Sequence, residues 1–231
     1  MLLNKNDQFM LSKISHELRN PLTIIYSTLQ LIETQHPEAK NFRHWPELIQ
    51  DVEFMNLLLE DLSRFNHAET LHLCSFSFRS FLEYISLSFA SSIASTELEY
   101  ISNIDSSINQ ITGDKTKLQE VFLNLLKNAA DASMPDKTIS LHAYAENKHV
   151  IVTIQDTGCG IREDRLNSIF EPFTTYKRDG TGLGLAITSN IIKAHHGEIH
   201  VSSVCGKGTT FTVKLPIEQK GVRAAYFLRE K

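Results

Sequence analysis

Two apolar stripes at helical spacing occupy the first 65 residues, and no other feature of the sequence narrows the fold so far. Ile14, Leu18, Leu22, Ile25, Leu29 and Ile32 recur at steps of four and three. At 100° per residue they cover a band about 80° wide on one helix. His36-Pro37 ends that helix, because a residue before proline is driven out of the helical region. Leu48, Val52, Met55, Leu59 and Leu62 form a second stripe with the four-three alternation of packed helices. The two helices read as an antiparallel hairpin. One hairpin buries only part of such long stripes, so two hairpins from a homodimer, making a four-helix bundle, are expected.

The pattern becomes mixed after residue 70. Helices are expected over 79–93, 115–132, 163–170 and 183–195, with Asp114 as N-cap of the second. Leu98, Tyr100 and Ile104 suggest a strand. Two hairpins follow from alternation, 138–146 with 149–155 across Glu146-Asn147-Lys148, and 198–204 with 209–215. The layout is α+β, helices over a mixed sheet. Three regions are expected: a helical hairpin over 1–70, a mixed domain over 71–217 and a tail over 218–231, where Tyr226, Phe227 and Leu228 pack on the sheet or stay disordered.

Composition sets limits. The chain has 231 residues, 42% hydrophobic and 22% charged, which is a folded globular balance. A net charge of -4 gives no reason to expect nucleic acid as a partner. Cys74, Cys159 and Cys205 are far apart and form no Cys-x-x-Cys pair, which argues for a reducing compartment without a disulfide framework or structural zinc. No apolar run approaches the ~20 residues that span a bilayer, and MLLNKNDQFM lacks a signal peptide's apolar stretch. The expected location is cytoplasmic, with a membrane sensor outside this sequence left open.

His16 falls roughly opposite the first stripe, so it is not a core histidine. An ordinary solvent-facing histidine is the plain alternative. Its neighbours argue otherwise. Glu17 follows it, Asn20 shares its face at i+4, and Pro21 interrupts the same turn. A kink is expected there, since interior proline costs a helix about 3 kcal/mol.

The second half lacks Gly-x-x-x-x-Gly-Lys-Ser/Thr, so it is no P-loop. Asn124 and Asn128 stand one turn apart with Lys127 beside them; polar residues flanking buried Val121, Leu125 and Ala129 are the plain reading. Asp156-Thr157-Gly158-Cys159-Gly160-Ile161 follows a strand and by itself suits an ordinary turn. Phe170-Glu171-Pro172-Phe173 precedes Gly180-Thr181-Gly182-Leu183-Gly184-Leu185, which opens a helix. Free N–H groups at a helix start suit phosphate, though a flexible loop would read the same way. Gly206-Lys207-Gly208-Thr209 turns between two strands. His195, His196 and His200 complete no metal set. The first two read as a helix C-terminal pair whose cationic character suits the dipole.

Ser15-His16-Glu17-Leu18-Arg19-Asn20-Pro21-Leu22-Thr23 closely resembles the H-box of sensor histidine kinases. In order and spacing, the later segments resemble the N, G1, F and G2 boxes and closing Gly-Thr turn of that family's ATP-binding domain. The resemblance spans roughly residues 9–216, and the short segment between Phe173 and Gly180 is similar to the nitrogen-regulation and sporulation branch. It implies the gyrase–Hsp90–histidine kinase–MutL α/β sandwich after the hairpin. It also implies ATP and Mg2+ as cofactors, a homodimer, and a response regulator receiver domain as partner. Under it, His16 takes the phosphoryl group on Nε2, Glu17 accepts the Nδ1 proton, and Asn20 positions a water for dephosphorylation. Asp156 binds the adenine amino group and Thr209 supports it. Asn128 ligates Mg2+, Asn124 lies beside the phosphates, and Lys127 and Lys177 offer charge. Gly158 and Gly160, and Gly180, Thr181, Gly182, Leu183 and Gly184, line the nucleotide. Asp131 departs from the many relatives with a basic residue there, so Lys127, Lys177 or Arg178 must supply that charge. A scaffold without ATP turnover and a MutL- or Hsp90-like ATPase are the competing readings. Intact Asn128, Asp156 and the Gly180–Gly184 run oppose the first. The His-Glu hairpin, and Asn124 where those ATPases use a carboxylate, oppose the second.

Overall fold

The computed structural model describes residues 5–133, 137–177 and 180–218, with side chains from Ile14 onward except at His16. The His16 side chain, Arg178, and the tail residues Tyr226, Phe227 and Leu228 therefore lie outside the described residues. The elements run α1 (Lys5–Gln35), a 3-10 turn (Pro37–Asn41), α2 (Trp45–Asn66), β1 (Cys74–Ser77), α3 (Phe78–Ser92), β2 (Glu99–Ile104), β3 (Gln110–Gly113), α4 (Lys115–Ala132), β4 (Thr138–Glu146), β5 (His149–Asp156), α5 (Glu163–Leu166), α6 (Gly184–Ala194), β6 (Glu198–Val204) and β7 (Gly208–Pro216). They divide into two compact units, 1–69 with 168–187, and 70–167 with 188–231. Helix α6 starts in one and ends in the other.

In the first unit α1 and α2 form the hairpin. Pro21 lies inside α1 without ending it. The buried seam consists of Leu22, Leu29, Val52 and Leu59, with Tyr26, Trp45 and Ile49 packed against it. Its members recur every seven residues, and the spacing continues to buried Ser15 and half-buried Trp45. Leu18, Ile25 and Met55, from the alternate positions of the same stripes, are 51%, 48% and 51% exposed. The stripes thus divide into an inner seam and an outer one. Polar pins fix the hairpin. The Tyr26 hydroxyl donates to Glu53 Oε1 at 2.9 Å, and Trp45 Nε1 donates to Glu33 Oε1 at 2.7 Å.

The second unit holds a five-stranded sheet in the order β2-β4-β5-β7-β6. Only β2 and β4 are parallel. Alternation along β4, β5 and β7 turns Ile139, Leu141, Val150, Val152, Ile154, Phe211, Val213 and Leu215 into the core. Helix α4 covers them with Leu118, Val121, Phe122, Leu125, Leu126 and Ala129, and α3 packs on α4 and β2. This is the expected helix-over-mixed-sheet architecture. A separate antiparallel ladder of β1 and β3 is not predicted by the sequence pattern. Each of its strands has four residues, too few for alternation to register. The expected helix 163–170 is also shorter, ending at Leu166. Beyond it the Glu171 N–H bonds the Ser168 carbonyl at 2.9 Å, three residues back, which is a turn and not a continued α-helix.

His195 corrects the reading of a cationic helix end. The ring is fully buried. Its Nε2 accepts the backbone N–H of Asp114 at 2.9 Å, and Nδ1 donates to the Ile191 carbonyl at 2.8 Å. A ring that accepts at one nitrogen is neutral. Burial holds its pKa below the usual 6.5. Asp114 meanwhile caps α4: Oδ1 accepts Lys117 N–H at 3.1 Å and Oδ2 accepts His72 N–H at 2.7 Å. Although burial pushes this carboxyl up, those donors hold it below its usual 3.8.

A buried neutral histidine gives stability a definite pH slope. Its folded pKa is below the unfolded 6.5, so its contribution is complete above that value and is lost as pH falls through the folded one. His195→Leu leaves the Asp114 N–H unpartnered and should cost about 1–3 kcal/mol at neutral pH. In urea melts the variant should show a shallower loss of stability between about pH 7 and pH 5 than the parent. An equally steep loss in both would contradict the neutral ring.

Candidate active site

Asp156 ends β5 and is 3% exposed. Its Oδ1 accepts two backbone N–H groups, from Gly158 at 2.9 Å and Thr209 at 3.2 Å. Oδ2 is engaged by neither. Burial pushes the carboxyl above its usual 3.8, against the downward pull of those two donors. The result is a carboxylate fixed in direction at the end of a central strand, with one oxygen left for a ligand's donor.

Three glycines let the backbone close around it. A Cβ on Gly158 would lie 2.2 Å from the Ala132 carbonyl oxygen, at the end of α4. Gly160 has φ +66°, and its Cβ would lie 2.2 Å from the Val204 oxygen. Gly208 has φ +123°, and its Cβ would lie 2.0 Å from the Asp156 oxygen. None of these positions admits a side chain. The loop after β5 is laced to its surroundings by Cys159 N–H to the Ala132 carbonyl at 3.0 Å and Gly206 N–H to the Cys159 carbonyl at 2.7 Å. Thr209 is buried and lies opposite Asp156 in the β5–β7 register. Asp156, Gly158 and Gly160 therefore meet Thr209, 53 positions away in the chain, at one point.

Ser203 was missed. It accepts the Ile161 N–H at 2.8 Å, donates to the Gly208 carbonyl at 2.9 Å and sits 3.0 Å from the Thr209 hydroxyl. It ties both turns to β6. A serine in an alternating strand carries no signal of this.

On α4, Asn124 and Asn128 are half-buried and Lys127 is exposed. Asn124 Nδ2 donates to Thr188 Oγ1 at 2.9 Å, joining α4 to α6. Asn128 lies on the same face, one turn toward Ala132. In the first unit, Gly182 has φ +71°, and its Cβ would lie 2.5 Å from the Phe173 carbonyl carbon. A Cβ on Gly180 would lie 2.5 Å from Thr175 Oγ1. Thr181 Oγ1 accepts the Leu183 N–H at 3.3 Å and donates to Asp61 Oδ2 at 2.6 Å. The run then enters α6 at Gly184, with Leu183 fully buried. Lys177 is exposed and its N–H bonds Thr175 Oγ1 at 3.1 Å.

His16 lies on α1, with Glu17 and Asn20 both exposed. Arg19, on the same stretch, reaches across the hairpin, its Nη2 donating to the Leu59 carbonyl at 3.4 Å. Among the described residues no group of three or more His, Cys, Asp or Glu could hold a metal ion. A hard cation bound through one asparagine oxygen would take its other ligands from phosphate and water, and the oxygen donors of Asn124 and Asn128 fit that mode.

Residues 7–70 match the family model of the His Kinase A (phospho-acceptor) domain. Residues 113–219 match that of the Histidine kinase-, DNA gyrase B-, and HSP90-like ATPase. The signal transduction histidine-protein kinase AtoS of Escherichia coli (strain K12) is 31% identical over 92% of this chain and 35% of its own length. Sporulation kinase A of Bacillus subtilis (strain 168) is 37% identical over 88% of this chain and 33% of its own. Among solved structures, full-length ShkA in complex with AMPPNP superposes with a TM-score of 0.77 at 26% identity, over 91% of this chain and 46% of that one. The chain thus spans roughly a third of these two curated relatives and under half of that structure.

Gly208 is the most exacting position of the site. Gly208→Ala meets both a forbidden φ and the Asp156 backbone, so stability should fall by at least about 1–3 kcal/mol. Urea denaturation measures it. An unchanged midpoint would mean that β7 does not start against Asp156.

Proposed function

We propose, since this chain belongs to the sensor histidine kinases, that it binds ATP around Asp156 and transfers the γ-phosphoryl group to its own His16. The observation that carries the reading is the Asp156 carboxylate, buried and aimed by two backbone donors beside glycines that admit no side chain. Its second oxygen would accept from the adenine amino group, and Thr209 would brace that end. Asn124 and Lys127 would face the phosphates, with backbone N–H groups of Gly180, Thr181, Gly182, Leu183 and Gly184 as donors. Lys177 would add charge. Asn128 would hold Mg2+, which would supply charge neutralisation at the phosphates.

In the transfer, His16 Nε2 attacks the γ-phosphorus in line. A nitrogen–phosphorus bond forms, the bond to the bridging oxygen breaks, and ADP leaves with that electron pair. Glu17 takes the Nδ1 proton, which keeps Nε2 nucleophilic. The phosphoryl group then passes to an aspartate of a response regulator receiver domain. Asn20, exposed one turn from His16, would orient a water against that aspartyl-phosphate, since an amide cannot act as a base at neutral pH. These steps suit a cytoplasmic setting. No described helix is long and apolar enough to cross a membrane.

Assembly follows from the divided stripes. Leu18, Ile25 and Met55 face outward at heptad positions, and a second copy would cover them in a four-helix bundle. The units proposed are the hairpin over 1–70, the catalytic domain over 71–217 and the tail 218–231.

With γ-labelled ATP and magnesium, the parent should acquire acid-labile, base-stable label. His16→Gln should lose the label and keep nucleotide affinity, while Asp156→Asn should weaken binding about ten- to hundredfold for the lost hydrogen bond. Full labelling of His16→Gln, or parental affinity in Asp156→Asn, would overturn the respective assignment.

Light scattering tests assembly separately. The parent should show twice the chain mass, and Ile25→Glu should give folded monomer, because that side chain is 48% exposed within one hairpin. A monomeric parent at micromolar concentration would contradict the bundle.

A further inference from the structure

We propose that Cys159 and Cys205 form a reversible disulfide that locks the rim of the nucleotide site; the bond stands on geometry alone, while its effect on nucleotide rests on the function proposed above. Cys159 lies between Gly158 and Gly160 in the loop after β5. Cys205 follows β6 in the turn closed by Lys207 N–H to the Val204 carbonyl at 2.9 Å. The loop and the turn touch. The Cys159 carbonyl accepts the Gly206 N–H at 2.7 Å. A Cβ on Gly160 would lie 3.1 Å from the Cys205 Cα. Standard covalent dimensions summed through the Gly206–Cys159 hydrogen bond place the two cysteine Cα atoms at most about 7.5 Å apart, a bound that includes the 4.4–6.8 Å over which a disulfide forms. Both residues are exposed and both thiols free.

The turn has open space beside it. Gly206 has φ +78°, and a Cβ there would meet nothing within 4 Å. Cys74 stands elsewhere, on β1, with its thiol 3.7 Å from the Gly113 carbonyl oxygen, and serves as an internal control.

Hydrogen peroxide is a sufficient oxidant. One cysteine sulfur attacks a peroxide oxygen; the O–O bond breaks, and the departing hydroxide takes the thiol proton as water. The second sulfur then attacks the sulfenic sulfur. The S–S bond forms, the S–O bond breaks, and the second thiol proton leaves in another water. The sulfur pair loses two electrons and the peroxide gains them. In a reducing cell such a bond is transient, which is what a sensor requires.

The consequence follows from what the loop and turn support. Gly158 and Thr209 donate to Asp156; Gly158 adjoins Cys159, and Thr209 follows Cys205 by four residues, just past the turn. Drawing Cys159 and Cys205 together shifts those donors and the carboxylate they aim.

The test is peroxide treatment of the full chain. Titratable thiols should fall from three to one, intact mass should drop by two hydrogens, and dithiothreitol should reverse both. Cys159→Ser and Cys205→Ser should each abolish the change, and Cys74→Ser should leave it. Affinity for a fluorescent ATP analogue should weaken about three- to tenfold in the oxidised parent, as for one hydrogen bond lost, and not in oxidised Cys205→Ser. Three persisting thiols, or a bond that involves Cys74 or joins two chains, would overturn the disulfide. Unchanged affinity in the bonded form would overturn the switch. A reduced parent that binds no nucleotide would instead overturn the function proposed above, and the thiol count would still judge the bond.

Discussion

The Asp156 carboxylate is the point on which the second unit turns. It ends a central strand, and the N–H groups that fix its Oδ1 come from both directions: Gly158 lies in the loop that leaves this strand, and Thr209 sits across the ladder on β7. Neither approach is possible with a side chain at Gly158 or Gly208. Burying a carboxylate costs free energy that its hydrogen bonds return only in part, and its raised pKa records the imbalance. A fold selected for stability alone has no use for that arrangement. A ligand donor on the remaining oxygen would complete it.

The hairpin solves a different problem. Its stripes exceed what two helices can cover, and the structure divides them by heptad position. Leu22, Leu29, Val52 and Leu59 close the hairpin, while Leu18, Ile25 and Met55 stay outward. The same seven-residue period places Asn66 at the end of the inner seam, where its amide is buried without a hydrogen-bond partner among the described residues. An unsatisfied amide at such a position weakens packing locally.

Much of this is legible in the sequence. Alternation marked β4, β5, β6 and β7 to within a residue. Glu146-Asn147-Lys148 located the turn that Asn147 and Lys148 make with φ +47° and +64°. The glycines of both turns declared themselves by type. What stayed hidden depends on partners far away in the chain. The acceptor role of His195 needs an N–H 81 positions away, at Asp114, and with it the assumed positive charge disappears. Ser203 and Thr188 join loops and helices through hydroxyls that any surface strand or helix could carry. β1 and β3 were too short to show a period. Apolar spacing identified both seams of the hairpin but could not say which one a single chain buries.

Base discrimination tests the central claim, that Asp156 is a fixed acceptor for an amino group. ATP presents a donor at the purine 6-position, and inosine triphosphate presents a carbonyl oxygen that would face the carboxylate. Equilibrium titration of the parent with each should favour ATP by at least about tenfold, since the mismatch loses a hydrogen bond and leaves two acceptors opposed. Equal affinities would contradict the account.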